Sequence, residues 1–185
     1  MLTALGYLEG EGGASQVTER GRTLMRIYNE MDLLTAESLR AGLWDDLDAS
    51  ALAAVLSTLV YESRRPDDAA SPRVPGGQVK QVLADMVSIW SDLDALERDH
   101  HLDQLHEPDL GFAWAAYRWA EGDELDDILH VTDLAAGDFV RWVKQLLDLA
   151  DQVADATPNP ALRKVAREAA GRLRRGVVAY SSVSE

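Results

Sequence analysis

Arg141, Lys144, Gln145, Asp148 and Gln152 recur at helical spacing. On an α-helix that spacing sets them on one side, away from Leu134, Val140, Val143, Leu146, Leu147 and Ala150. The chemistry such a strip offers is non-covalent. A guanidinium pairs with phosphate or stacks on a base, and an amide bonds a base edge without selecting it strongly. The strip can therefore follow a single strand of nucleic acid, although any solvated helix face also presents long polar groups.

Charge bears on that reading. The chain has 185 residues and a net charge of −14, which opposes general attraction to a polyanion. The average conceals a division: residues 158–185 carry Arg163, Lys164, Arg167, Arg172, Arg174 and Arg175 against Glu168 and Glu185, so that this segment is +4 and the remainder −18. Any attraction to RNA or DNA must be local. Arg163, Arg167 and Arg174 share one helical face and Lys164 and Arg175 its neighbour, a pattern that also suits helix-dipole complementation and surface pairing.

Catalytic signals are weak. No GxxxxGK[ST] loop is present, and the nearest stretch, Pro75-Gly76-Gly77-Gln78-Val79-Lys80, lacks both the loop length and the hydroxyl that would hold Mg²⁺. There is no GxSxG elbow and no cysteine, which excludes a disulfide framework and a thiolate metal site and suits a reducing compartment, with the cytoplasm as the expected location. His100, His101 and His106, with Glu97 and Asp103, crowd one helix end, but adjacent histidines point about 100° apart on a helix and no HExxH or HxH spacing occurs; no metal site is expected. Acid pairs such as Asp45/Asp46 and Asp126/Asp127 are unremarkable among 32 acids. No apolar run approaches the roughly 20 residues a membrane span needs.

The elements that must position these residues are mostly helices. Leu2–Glu9, a glycine turn and a second short strand from Gln16 suggest a wing-like hairpin, and Thr18 with Glu19 opens a helix. Asp32 or Thr35 starts the next. Asp48 caps a buried helix in which Leu52, Val55, Leu56, Leu59 and Val60 recur. Arg64–Gly77, with three of the six prolines, is expected to be an exposed loop. A long amphipathic helix runs from Gln78 to about His101, Gly111–Gly122 form an aromatic-rich one, and a short helix covers Glu124–Leu129. Thr132 or Asp133 caps the helix bearing the polar strip, expected over about 134–155, and Pro158 and Pro160 frame the entry into a last helix over 161–178. The expectation is a mainly α protein: a bundle of about seven helices with a small N-terminal β-hairpin element, divided into a wing-like unit at 1–22 and a bundle at 23–185.

Three stretches together, GLWDDLDASALAAVLSTLVYES, AYRWAEGDELDDILHVTDLAAGDFVRWVKQLLDLADQV and RRGVVAYSSV, resemble the DSHCT domain. This is the C-terminal helical domain of superkiller-type DExH-box RNA helicases that serve the RNA exosome, and of their actinobacterial relatives. Leu5-Gly6-Tyr7-Leu8 and Thr18-Glu19-Arg20-Gly21-Arg22 extend the resemblance over nearly the whole chain.

The resemblance implies a non-catalytic accessory domain of an ATP-dependent RNA helicase. ATP and Mg²⁺ would belong to motor domains outside this chain, which needs no cofactor itself. Its partners would be single-stranded RNA or DNA and the RecA-like and winged-helix domains of the parent, with no membrane. It also implies that residues 133–155 form the "ratchet" helix that touches bases, with Arg141 and Lys144 at positions where cations are usual. Gln145 stands where an RNA-contacting arginine occurs in eukaryotic members, and Leu147-Asp148 replaces an acidic pair. Glu62 is the nearest match to an acid close to RNA in the family, and Arg64 and Arg65 follow it. YSSVSE replaces the family's closing aliphatic and tyrosine signature. The alternative is a docking module of the helicase that never contacts RNA.

Overall fold

Side-chain caps set where several helices begin. Thr18 Oγ1 accepts a hydrogen bond from the Gly21 amide at 3.1 Å, Asp48 Oδ1 from Ala51 at 2.8 Å, and Asn159 Oδ1 from Ala161 at 2.9 Å, ahead of a helix that starts at Pro160. Each bond satisfies an amide that the helix itself leaves without an acceptor.

The computed structural model describes residues 1–10, 14–63, 72–102, 105–132 and 134–181. Among them, strands β1 (Leu8–Glu9) and β2 (Gln16–Val17) precede helices α1 (Glu19–Leu24), α2 (Asp32–Arg40), α3 (Ala49–Ser57), α4 (Gln78–Asp99), α5 (Ala113–Glu121), α6 (Leu125–Thr132), α7 (Ala136–Ala156), α8 (Pro160–Leu173) and α9 (Gly176–Ser181). A 3₁₀ turn, Leu110–Phe112, leads into α5. The protein is mainly α with a small N-terminal β element, as expected from its periodicity.

The centre is α3, in which every residue from Ala49 to Ser57 is buried. Its alanines, Ala51, Ala53 and Ala54, let α5, α7 and α8 approach closely, and α4 covers a further side. Trp44, Phe112, Trp119 and Phe139 fill the spaces between helices and are essentially inaccessible to water. Truncating any one of them to alanine costs about 3–5 kcal/mol on the usual scale for core aromatics.

Three expectations need correction. The strand read over Leu2–Glu9 is confined to Leu8–Glu9, paired antiparallel with Leu8 opposite Val17, because the preceding residues satisfy their backbone locally: Leu5 N bonds Met1 O, and Tyr7 N bonds Leu2 O. Thr132 does not cap α7. Its hydroxyl bonds back to Ile128 O at 2.7 Å inside α6, and α7 begins after Ala135 without a side-chain cap, while Asp133 lies outside the described residues. The last helix is two. Gly176 adopts φ +49°, a left-handed conformation disfavoured for other residues, and the chain turns there as Arg175 folds inward onto Trp119. The loop read over 64–77 is described only from residue 72 onward.

Candidate nucleic-acid interface

Helix α7 presents its polar strip much as its spacing requires. Phe139, Val143, Leu146, Leu147, Ala150 and Val153 are buried, while Arg141, Gln145 and Asp148 are exposed and Lys144 and Gln152 half-buried. Val140 and Leu134, read as core positions, are only half-buried.

A groove of about 370 Å³ runs beside this strip. One wall is α7, through Trp142, Gln145, Asp148, Leu149 and Gln152; the other is built from Tyr28, Asn29 and Glu30, from Leu59–Glu62 after α3, and from His106. One polar link ties the walls together at one end, and a second braces the wall opposite α7. Gln152 Oε1 accepts from the Tyr28 amide at 2.6 Å, and Asn29 Nδ2 donates to Leu59 O at 3.1 Å. The tyrosine that this arrangement holds up is 79% exposed, so an aromatic side chain stands largely open at the mouth of the groove.

The floor is rigid for a different reason. Trp142 meets Tyr61 edge to face at 5.2 Å, Tyr61 stacks on Phe112 at 5.5 Å, Phe112 tilts against Phe139 at 5.6 Å, and Phe139 meets Trp119 at 5.3 Å. This row of rings connects the groove to the core. The 3₁₀ turn fits beneath Tyr61 because residue 111 is glycine: a Cβ there would come within 2.8 Å of Tyr61 Cε1. Asp109 fixes the same corner, accepting from Ser63 N at 2.7 Å and from Gly111 N at 2.8 Å.

The predicted residues divide. Gln145 and Asp148 on α7 line one groove with Glu62, which follows α3 and is 83 or more positions from either. Arg141 and Lys144 do not line it. The Arg141 guanidinium lies 4.4 Å from the Trp142 ring centroid and 3.6 Å from Asp138 Oδ1, so it stacks on the groove's aromatic wall. Arg64 and Arg65 lie outside the described residues.

The groove is acidic. Among the described residues Glu30, Glu62 and Asp148 line it, with His106 as the other titratable side chain apart from the tyrosines, and none of these lining residues is a lysine or arginine. The basic tail does not supply what is missing. Arg167 bridges Asp151, at 3.1 Å, and Asp155; Arg174 reaches Asp151 at 3.4 Å; Arg172 binds Glu168 and Ser50; and Arg163 donates to Ala154 O and Thr157 O at the end of α7. Arg175 donates to Trp119 O at 2.9 Å with its guanidinium 3.5 Å above the Trp119 ring, and its burial lowers its pKa. Most of the positive charge in the tail is thus used to hold α7 and α5 to the final helices.

The histidine cluster is also structural in its contacts. Glu97 is buried and accepts from Leu105 N at 3.1 Å, and His100 Nδ1 lies 2.8 Å from Leu96 O. Among the described residues no group of three or more His, Cys, Asp or Glu could hold a metal ion, and no helix is long and apolar enough to cross a membrane. Asp103 lies outside the described residues.

Periodicity did not reveal Trp142, Tyr28, Tyr61 and His106 as neighbours of the strip. The adjacency of Trp142 to Arg141 was a usable signal, since a stacked cation beside a half-buried indole marks a helix face that meets something other than water.

A mainly helical domain with an aromatic-floored, acidic groove along α7 is the class that these features define. The chain belongs to the DSHCT family: the model described as the DSHCT (NUC185) domain matches residues 14–181. It is 43% identical over 192 residues to the "Probable helicase HelY" of Mycobacterium tuberculosis (strain ATCC 25618 / H37Rv), covering 98% of this chain and 21% of that protein. It is 41% identical to the protein of the same name from Mycobacterium leprae (strain TN), again over 98% of this chain and 21% of the relative. Similarity extends to the human "Exosome RNA helicase MTR4", 27% identical over 94% of this chain and 17% of that protein. The chain therefore spans about a fifth of the length of these curated relatives.

Proposed function

We propose that this chain is a non-catalytic accessory domain of an ATP-dependent RNA helicase and that it guides single-stranded RNA along α7 past the motor. Family membership and the relatives' names support the helicase context. The single observation that carries the guiding role is the groove itself: the strip residues Gln145 and Asp148 face Glu62 across it, between the Trp142 wall and the exposed Tyr28 ring. ATP and Mg²⁺ would act in RecA-like domains of the parent, and those domains with a winged helix would be its neighbours. In this reading motor movements shift the strand while α7 grips and releases it.

The acidity of the groove constrains how a strand would lie. Carboxylates repel phosphates and accept hydrogen bonds from exocyclic amines, so bases would enter and the backbone would remain outside, near Arg141 and Lys144. A stacked base contributes about 1–3 kcal/mol, enough to hold the strand between power strokes without trapping it.

The same acidity, with the internally paired tail, favours a second reading in which the domain only docks other protein domains. One experiment separates the two. In the full-length helicase, Arg141→Ala with Lys144→Ala, and separately Trp142→Ala, should reduce base pairs separated per ATP hydrolysed by about 3–10-fold, as expected for losing one or two contacts of this strength. Unwinding per ATP equal to that of the parent protein in both variants would exclude the guiding role for α7. ATP hydrolysis by the purified chain alone would overturn its non-catalytic status.

A further inference from the structure

A second cavity, of about 440 Å³, lies at the opposite end of α3 from the groove. Asp46 and Asp48 line it at the start of α3, Trp114 and Tyr117 on α5 form an aromatic wall, and Pro75 and Gly76 form a rim. The two rings are nearly parallel, 15° apart with centroids 6.1 Å apart.

We propose that this cavity is a docking pocket for an arginine side chain presented by a peptide segment of a separate protein. Three independent features specify that occupant. The first is the pairing of carboxylates with aromatic faces. Among the described residues Asp46 has no ion-pair partner, and Asp48 commits only one oxygen, to the α3 cap. A planar guanidinium can stack on a ring and bond a carboxylate through two N–H groups at once, which an ammonium cannot do.

The second is that the wall already attracts this group. The guanidinium of Arg73 lies 4.2 Å from the Trp114 ring centroid, a cation–π contact that this ring already makes. Burial, followed by the charges of Glu121 and Asp48, raises the Tyr117 pKa.

The third feature concerns the backbone that would carry the arginine. A Cβ placed on Gly76 or Gly77 would meet nothing within 4 Å, so the rim is low and a main chain can pass across it. Trp114 Nε1 is buried without a hydrogen-bond partner, an unsatisfied donor beside the site. A net charge of −14 draws a basic partner toward the domain from a distance. Because the pocket and the groove occupy opposite ends of α3, an occupant here leaves the groove open.

The test is a titration of the intact chain with blocked peptides of sequence Gly-Arg-Gly-Arg-Gly, followed by the indole ¹H–¹⁵N signal of Trp114, assigned with Trp114→Phe. The expected result is a saturable shift for the arginine peptide and binding at least about fivefold weaker for its lysine counterpart. Asp46→Asn with Asp48→Asn should weaken arginine-peptide binding about tenfold or more, and asparagine keeps the α3 cap, so the variant retains its fold. Four outcomes would overturn the proposal: no shift at millimolar peptide; an equal shift with a norleucine peptide; an equal shift with free guanidinium at the same concentration; or shifts centred on the side-chain amides of Gln145 and Gln152 instead of Trp114.

Discussion

Trp142 stands edge to face against Tyr61, with ring planes 70° apart, and Tyr61 lies within 18° of the plane of Phe112. A surface aromatic on α7 is thereby fixed by a residue that follows α3 and, through it, by the core. What a strand would meet in the groove is a preorganised surface, because the Trp142 ring loses little further freedom on contact.

The support beneath Tyr61 gives the first prediction. Gly111→Ala would force a methyl group to within 2.8 Å of Tyr61 Cε1 and 3.0 Å of Asp109 Oδ1. The expected cost is about 1–3 kcal/mol, typical of overpacking, with a change in the native-state tryptophan fluorescence as Tyr61 moves against Trp142. Urea unfolding with fluorescence detection measures both, and a stability change within about 0.5 kcal/mol would show that the ring yields freely.

Gln145 lines an acidic groove that has no lysine or arginine among its described lining residues. Gln145→Arg should therefore strengthen single-stranded RNA binding at low salt and steepen its salt dependence by about 0.7 in the log–log slope, the increment for one phosphate contact on a single strand. Binding isotherms at several KCl concentrations provide the slope. No change in slope would mean that phosphates never approach this position.

Tyr7 and Glu37 give a pH dependence. Tyr7 Oη donates to Glu37 Oε1 at 2.5 Å, while Arg40 binds the other oxygen through Nε at 2.9 Å and Nη2 at 2.7 Å. Burial, followed by the bond to Glu37, raises the Tyr7 pKa far above its ordinary value of 10.0. Above that ordinary value the unfolded chain releases the phenolic proton and the folded chain retains it, so the tyrosine's contribution is complete below pH about 10 and declines as pH rises further. Tyr7→Phe should cost about 1.5–3 kcal/mol at pH 7, as for a hydrogen bond to a charged group. The gap between the two proteins should narrow above pH about 10, which equilibrium unfolding along a pH series would show.

Arg175 is held at the turn between α8 and α9 by Trp119 O, Asp123 O and the Trp119 ring. Lysine offers neither the fork nor the stacking plane, so Arg175→Lys should destabilise the protein by about 1–3 kcal/mol. Thermal unfolding is sufficient to check this. A melting temperature equal to that of the parent protein would mean that the C-terminal helix docks without the arginine.

Much of this molecule was legible from local spacing. The caps at Thr18 and Asp48, the buried run of α3 and the outward strip of α7 each depend on residues within a few positions of one another, where helical geometry alone decides which side chains share a face. Local signals misplaced Thr132, whose hydroxyl prefers its own α6 carbonyl, and carried the last helix through Gly176, where an inward-turned arginine bends the chain.

Residue types and periodicity determined by themselves that the protein is mainly α, that α7 would show Arg141, Gln145 and Asp148 to solvent, and that the positive charge is concentrated at the C-terminus. Tertiary structure alone decided what those groups face. The groove depends on Gln152 meeting Tyr28 across 124 residues and on Glu62 arriving opposite Asp148, while the tail arginines are turned onto Asp151 and Asp155 instead of outward. Helical period fixes direction within one element, but the partner across a gap is set by how whole helices pack, and no local spacing encodes that distance.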